Sequence, residues 1–126
     1  MSLTPINTDA ASPPGGHYSQ AVVAGGFVFI SGMLPITPEG EKVLGSAAEQ
    51  TRAALANFKA VIEAAGSSLD RVVKTTVYVS DIALWDEINA VYAEVFGEHR
   101  PARAVVPTRE LHYGFVVVVE GVGVVI

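Results

Sequence analysis

The chain closes on twelve residues, Phe115-Val116-Val117-Val118-Val119-Glu120-Gly121-Val122-Gly123-Val124-Val125-Ile126, that carry one polar side chain among them. So many β-branched residues favour an extended backbone, and a strand apolar on both alternating faces has to be covered twice. The exception, Glu120, shares a face with Val118 and Val122. An isolated ionised carboxylate there is costly, so it is neutral, paired or reached by water. Arg103 lies in a second apolar stretch, Pro101-Ala102-Arg103-Ala104-Val105-Val106. A guanidinium flanked by Ala and Val in a strand wants a carboxylate or phosphate partner. An acid and a guanidinium in such surroundings suggest a small site for a small anion. A structural ion pair, or an edge-strand glutamate facing solvent, is the competing reading of the same residues.

Upstream, residues 1–16 are rich in Pro, Gly, Ser and Thr and read as a loose entry segment to a single domain spanning 1–126. Tyr18 to Val23 and Phe27 to Ser31 read as a hairpin turned by Ala24-Gly25-Gly26. Ser46 and Glu49 form a capping-box pattern, and Thr51, Leu55, Phe58 and Ile62 then repeat at helical steps until Gly66. Arg71 to Ser80 is a strand. Asp81 can cap a second helix that runs through Trp85, Ile88, Val91, Tyr92 and Val95 to Gly97. Strands near 102–107 and 115–125 complete a ββαβαββ order, an α+β arrangement with one sheet and both helices on one face. Two helices cover only one face, yet the last strand is apolar on both. The cheapest cover for the other face is another copy of the chain, so a homo-oligomer is expected.

Composition points the same way. Half of the 126 residues are hydrophobic, and only 17% are charged, which is sparse for the large surface of a small monomer. The formal net charge of −5 argues against a nucleic-acid scaffold, whose affinity comes from neutralising phosphates. The absence of cysteine removes disulfides, thiolate nucleophiles and Cys-based zinc sites, and suits a reducing cytoplasm. With no secretory pattern at the start and no bilayer-length apolar run, the expectation is a cytoplasmic protein that does not span a membrane.

The sequence holds no Walker loop, dinucleotide-binding glycine fingerprint, His-Glu-x-x-His or Gly-x-Ser-x-Gly. His17, His99 and His112 lack metal-ligand spacing and read as loop or surface residues, so no metal or cofactor is expected. The remaining polar groups in apolar settings are Tyr18, Ser31 with Gly32, Asn89, Arg103 and Glu120. Alone, Tyr18 reads as a core aromatic with a satisfied hydroxyl, Ser31-Gly32 as turn punctuation and Asn89 as a helix-surface amide.

In order and spacing, several segments match a known family: Tyr18-Ser19-Gln20-Ala21-Val22, Ile30-Ser31-Gly32, Glu49-Gln50-Thr51-Arg52, Val73-Lys74-Thr75-Thr76-Val77, Asn89-Ala90-Val91-Tyr92, Pro101-Ala102-Arg103 and the Glu120 strand. From about Gly16 to Gly123 the chain resembles the RidA (YjgF) family of reactive-imine deaminases, also labelled endoribonuclease L-PSP. The resemblance implies a homotrimer of chorismate-mutase-like subunits with clefts between neighbours. It implies that Arg103 binds the substrate carboxylate and that Glu120 holds the attacking water and serves the leaving amine. Tyr18, Ser31, Gly32 and Asn89 would line or support the cleft, with backbone groups near Val105 facing the ligand. His17 stands where relatives often have Pro, and His112-Tyr113 replaces a common Pro-Lys pair. Val105 occupies a position that is Cys in some members. His112 and Tyr113 either reshape the cleft for a larger or aromatic substrate or are loop surface.

The chemistry of the residues agrees with that implication. Hydrolysis of an enamine or imine beside a carboxylate needs an anion clamp and one acid–base group, without metal or cofactor. Three functions are therefore expectations. The first is deamination of 2-imino acids to 2-keto acids and ammonia. The second is a pathway-specific deaminase of an aminomuconate-like dicarboxylate, with Arg109 or His112 meeting the second carboxylate. The third is a non-catalytic binder of small carboxylates that regulates a partner.

Overall fold

A computed structural model describes residues 2–125; Met1 and Ile126, the ends of the expected domain and of the terminal apolar run, lie outside the described residues. Six strands form one sheet: β1 (Thr4–Ile6), β2 (Ala21–Ala24), β3 (Phe27–Met33), β4 (Val72–Val79), β5 (Ala102–Pro107) and β6 (Val117–Val124), in the order β1-β2-β3-β6-β4-β5. Helix α1 (Ala47–Ala64) connects β3 to β4, and α2 (Trp85–Phe96) connects β4 to β5. The β4–β5 pair is parallel and the other pairs are antiparallel, so the sheet is mixed.

Local chemistry explains each element. The β2–β3 hairpin turns through Gly25 (φ 58) and Gly26 (φ 82), two positive values that a tight two-residue hairpin requires. Ser46 caps α1 by accepting the Glu49 N–H at 3.1 Å. Asp81 caps a single 3-10 turn, Ile82–Leu84, and that turn feeds α2. The apolar stripe of α1 packs Leu55, Phe58 and Ile62 onto β3 and β6, where all three are fully buried. Gly121 and Gly123 make this approach possible, since a Cβ at Gly121 would stand 2.7 Å from the Lys74 carbonyl oxygen and 2.9 Å from Phe58 Cζ. No helix among the described residues is long and apolar enough to cross a membrane.

Burial alternates along the central strands. Thr75, Val77 and Val79 of β4 and Val117 and Val119 of β6 are buried beneath the helices. Thr76 and Tyr78, with Val118, Glu120 and Val122, occupy the other face and are half-buried. On that face Phe29 pairs with Val122, yet Phe27 and Phe29 remain 44% and 49% exposed. The terminal strand is therefore covered once within the protomer, and its second apolar face is left open.

The entry segment differs from expectation. Of the expected loose segment 1–16, the described residues are tied down, because Thr4, Pro5 and Ile6 pair with Val23, Val22 and Ala21. Two buried amides hold the stretch between β1 and β2. Gln20 Nε2 donates to the Thr8 and Ser12 carbonyls, and Asn57 Oδ1 accepts the Ser12 N–H. Backbone polar groups in a segment packed on a core need such partners, and here side chains distant in sequence supply them.

Candidate functional site

Arg103 is a cation held by soft contacts and one amide. It lies on β5 opposite Thr75, so its side chain falls on the helix-covered side of the sheet, at the exposed edge of the structure. On α2, residues 85, 89 and 92 share one face by helical spacing. Trp85 and Tyr92 place their rings 5.6 Å and 4.7 Å from the guanidinium carbon, and Asn89 Oδ1 accepts an Arg103 N–H at 2.8 Å. Tyr92 is fixed in turn by a 2.7 Å hydrogen bond to the buried Thr75 hydroxyl, and burial pushes its phenol above the usual value. Val105 joins Asn89 and Arg103 in the lining of a small cleft. Among the described residues the single ion pair is Arg52–Glu94, on the surface, so Arg103 has no carboxylate partner there. A planar, half-buried guanidinium with an amide on one nitrogen and rings beneath it is pre-set for a carboxylate from outside.

The second cluster lies on the opposite side of the sheet. A cavity of about 560 Å³ opens between the β2–β3 side and the loop before β6, lined by Tyr18, Ser31, Gly32, Tyr78, His112 and Tyr113 among others. The Ser31 hydroxyl donates to the Ser19 carbonyl at 2.7 Å, and the Tyr18 hydroxyl accepts the Gly15 N–H at 3.2 Å. Gly32 keeps the wall thin, since a Cβ there would meet Val118 Cγ1 at 3.0 Å. Beside the cavity, the Tyr78 hydroxyl donates to Glu120 Oε1. Tyr78 stands opposite Val118, which puts it diagonal to Glu120 on one sheet face, within reach of a long side chain. That bond, together with desolvation and the nearby negative charge, pushes the Tyr78 phenol above its usual value.

The seven expected site residues thus divide. Arg103, Asn89 and Val105 come together at the β5 edge; Tyr18, Ser31 and Gly32 come together at the cavity, with Glu120 joined to it through Tyr78. The expectation of Arg103 and Glu120 in one apolar site is not met within a protomer, because β4 separates their strands and their side chains leave opposite faces. Of the histidines, His17 is exposed and outside the cavity lining, His99 Nε2 lies 2.8 Å from the Val72 carbonyl oxygen, and His112 lines the cavity with Tyr113. His112 and Tyr113 are both exposed loop residues, as the loop-surface reading has them, and they also line the cavity, so the two readings of this pair are compatible. Among the described residues no three His, Cys, Asp or Glu side chains are grouped to hold a metal.

Sequence reasoning missed Tyr78 as a partner of Glu120. Strand alternation puts it on a face with Thr76, but only the β4–β6 pairing, remote in sequence, makes that the face of Glu120. The helical pattern makes Trp85 a core position, although it is 38% exposed and flanks the guanidinium.

A family model described as Endoribonuclease L-PSP matches residues 8–125. RutC family protein PH0854 of Pyrococcus horikoshii is 47% identical over 118 residues, which are 93% of this chain and 94% of that protein. The crystal structure of yeast Mmf1 superposes with a TM-score of 0.96 at 37% identity, covering 99% of this chain and 100% of that one. Escherichia coli TdcF, solved with bound serine, superposes with a TM-score of 0.92 at 33% identity, covering 96% and 98%. Sequence and fold agree over nearly the full length, and the chain belongs to the endoribonuclease L-PSP family, whose solved members include proteins of the Rid and YjgF names.

Proposed function

We propose that the protein is a cofactor-independent deaminase that hydrolyses 2-imino acids, or their enamine tautomers, to 2-oxo acids and ammonia. The reading rests on the Arg103 guanidinium, which lacks a counter-ion among the described residues, is hydrogen-bonded to Asn89 and lies over the Tyr92 and Trp85 rings. Arg103 takes the substrate carboxylate. Water adds to the C2 carbon of the protonated imine, and the Glu120 carboxylate accepts the proton that water releases. It then gives that proton to the amine. The C–N bond breaks as the carbinol oxygen forms the C=O bond, and the hydroxyl proton passes through the same carboxylate to the departing ammonia, which leaves as ammonium, so that one group serves all the transfers. The Tyr78 hydroxyl holds one carboxylate oxygen and leaves the other for water. TdcF with bound serine supports a small amino-acid-like ligand for this fold.

Because Arg103 and Glu120 leave opposite faces of one sheet, the reading places each reaction centre between two copies. The β5 edge of one copy meets the cavity of the next. Two different surfaces in contact make a head-to-tail interface, which closes as a ring where the rotation between copies divides a full turn. Three copies with the Phe29 faces turned inward would also cover the apolar surface that a lone protomer leaves open.

The test is a coupled assay. An amino-acid oxidase generates imino acids, semicarbazide traps what survives, and wild type is compared with Arg103→Ala and Glu120→Ala. Loss of trapped imine with wild type alone supports the reading; wild type indistinguishable from buffer across a substrate panel overturns it. Calorimetric binding of small 2-oxo acids without any hydrolysis would favour a non-catalytic carboxylate-binding protein. The family's ribonuclease label finds little support in a chain of net charge −5, and RNA left intact after long incubation would remove it.

A further inference from the structure

We propose that the cavity beside Glu120 is a side-chain pocket that selects 2-imino acids with a bulky apolar or aromatic substituent over small or dicarboxylic ones. The proposal rests on the deaminase reading for the reaction, but its recognition element can be tested separately. Three observations carry it.

The first is size and lining. At about 560 Å³ the cavity lies within the range of about 300–1,000 Å³ typical of small-molecule pockets. Beyond Ser31, whose hydroxyl is already committed to the Ser19 carbonyl, its walls are mainly the side chains of Leu34, Leu111 and Val118 and three tyrosines. No lysine or arginine lines it, and Arg109 stays exposed outside. A second substrate carboxylate would find only the exposed His112 imidazole in the lining, with Lys42 engaged on the Tyr113 ring at the rim, whereas an apolar group would find a larger matched surface.

The second is that the aromatic wall is braced. The Tyr113 ring stands edge-on to Phe115 at 5.7 Å, and Phe115 is fully buried. Lys42 Nζ lies 4.6 Å from the Tyr113 ring centroid, and the His112 ring packs 5.5 Å away. Tyr113 also has φ 57 and ψ 19, a left-handed conformation rare for a non-glycine residue. A loop that holds a bulky residue in this conformation, 55% exposed in the lone protomer, gives up stability to keep a ring at the cavity.

The third is position. Tyr78 belongs both to the cavity wall and to the Glu120 hydrogen bond, so a substrate whose reacting carbon approaches Glu120 has its substituent directed at the cavity.

The test measures binding of phenylpyruvate and pyruvate, the oxo acids expected from the corresponding imino acids, to the assembled wild-type protein by calorimetry. The expected result is at least about tenfold tighter binding of phenylpyruvate, in keeping with one aromatic contact plus ring burial. Tyr113→Asn, chosen because asparagine tolerates the left-handed backbone, is expected to bring the ratio towards one. Tyr113→Phe is expected to keep it, which separates loss of the ring from loss of the fold. Equal affinities for the two acids, no binding of either, or a ratio indifferent to Tyr113→Asn would overturn the proposal. A clear phenylpyruvate preference without hydrolysis of any imino acid would sustain it while removing the deaminase reading.

Discussion

Arg103 and Glu120 are separated by one strand and by the thickness of the sheet. Arg103 pairs with Thr75, whose side chain is buried under the helices, and Glu120 pairs with Thr76, whose side chain points the other way. A one-residue difference in register between the two neighbours of β4 is enough to invert the face, because side chains alternate along a strand. Each residue is provided for separately: an amide and two rings hold the guanidinium, and a phenol holds the carboxylate.

That separation predicts complementation between inactive variants. If each reaction centre draws Arg103 from one copy and Glu120 from another, mixed assemblies of Arg103→Ala and Glu120→Ala contain intact centres. Random mixing in equal amounts leaves about a quarter of the centres with both groups. Deaminase activity of the two variants, refolded together after denaturation, is expected to rise to about that fraction of wild type. No recovery above either variant alone would mean that both groups serve a centre within one copy.

Arg103→Lys is expected to behave as a loss of binding despite keeping the charge. An ammonium cannot lie flat over the Tyr92 ring at 4.7 Å while bonding Asn89 and presenting two parallel N–H groups to a carboxylate. The expected result is a KM for 2-imino acids raised about tenfold or more, with kcat changed less. Steady-state kinetics on wild type, Arg103→Lys and Arg103→Ala check it, and Arg103→Lys indistinguishable from wild type would show that charge alone suffices.

Much of the fold is legible in the sequence because its signals are local. The Ser46 cap, the stripe through Leu55, Phe58 and Ile62, the Gly25-Gly26 turn and the doubly apolar last strand each announce their structure within a few residues. The tethering of the segment from Thr4 to Ser12 is not legible. Its supports, Gln20 and Asn57, look like surface amides until the fold buries them against the carbonyls of Ser12, Leu34 and Ile36. The site residues are legible by type, since polar groups in apolar runs stand out. Their grouping is not, because strand order and register decide which face each residue serves, and both are long-range properties.

Alkaline stability should report on two tyrosines. Tyr78 holds its proton above the ordinary 10.0 chiefly because its hydroxyl donates to Glu120, and Tyr92 does so chiefly because it is buried. Both raised values favour the protonated form in the folded chain. That contribution is whole below the unfolded value of 10.0 and is lost as pH rises through the folded values. Between about pH 9 and about pH 11, wild type is expected to lose more unfolding free energy than the Tyr78→Phe, Tyr92→Phe double variant. At neutral pH that variant should be weaker, by about 1 kcal/mol for each lost hydrogen bond, and less where solvent competes at Tyr78. Urea unfolding across the range measures both, and identical losses in the two proteins would rule out the phenols as the cause.

Gly121→Ala tests how closely the packing of α1 is tied to the chemistry of Glu120. The added methyl would have to stand 2.7 Å from the Lys74 carbonyl oxygen and 2.9 Å from the fully buried Phe58 ring, and neither is the free end of a flexible side chain. The strand must therefore shift away from α1 and β4. The expected cost is about 2–3 kcal/mol, read as a lower urea midpoint with an unchanged slope. The same shift would draw the neighbouring Glu120 out of register with Thr76 and away from the Tyr78 hydroxyl, so activity should fall along with stability. Glu120→Ala, which trims a half-exposed side chain and adds no bulk, is expected to abolish activity with little loss of stability. A Gly121→Ala protein of wild-type midpoint would mean that β6 has slack against α1, and that the close glycine contact does not hold the carboxylate in place.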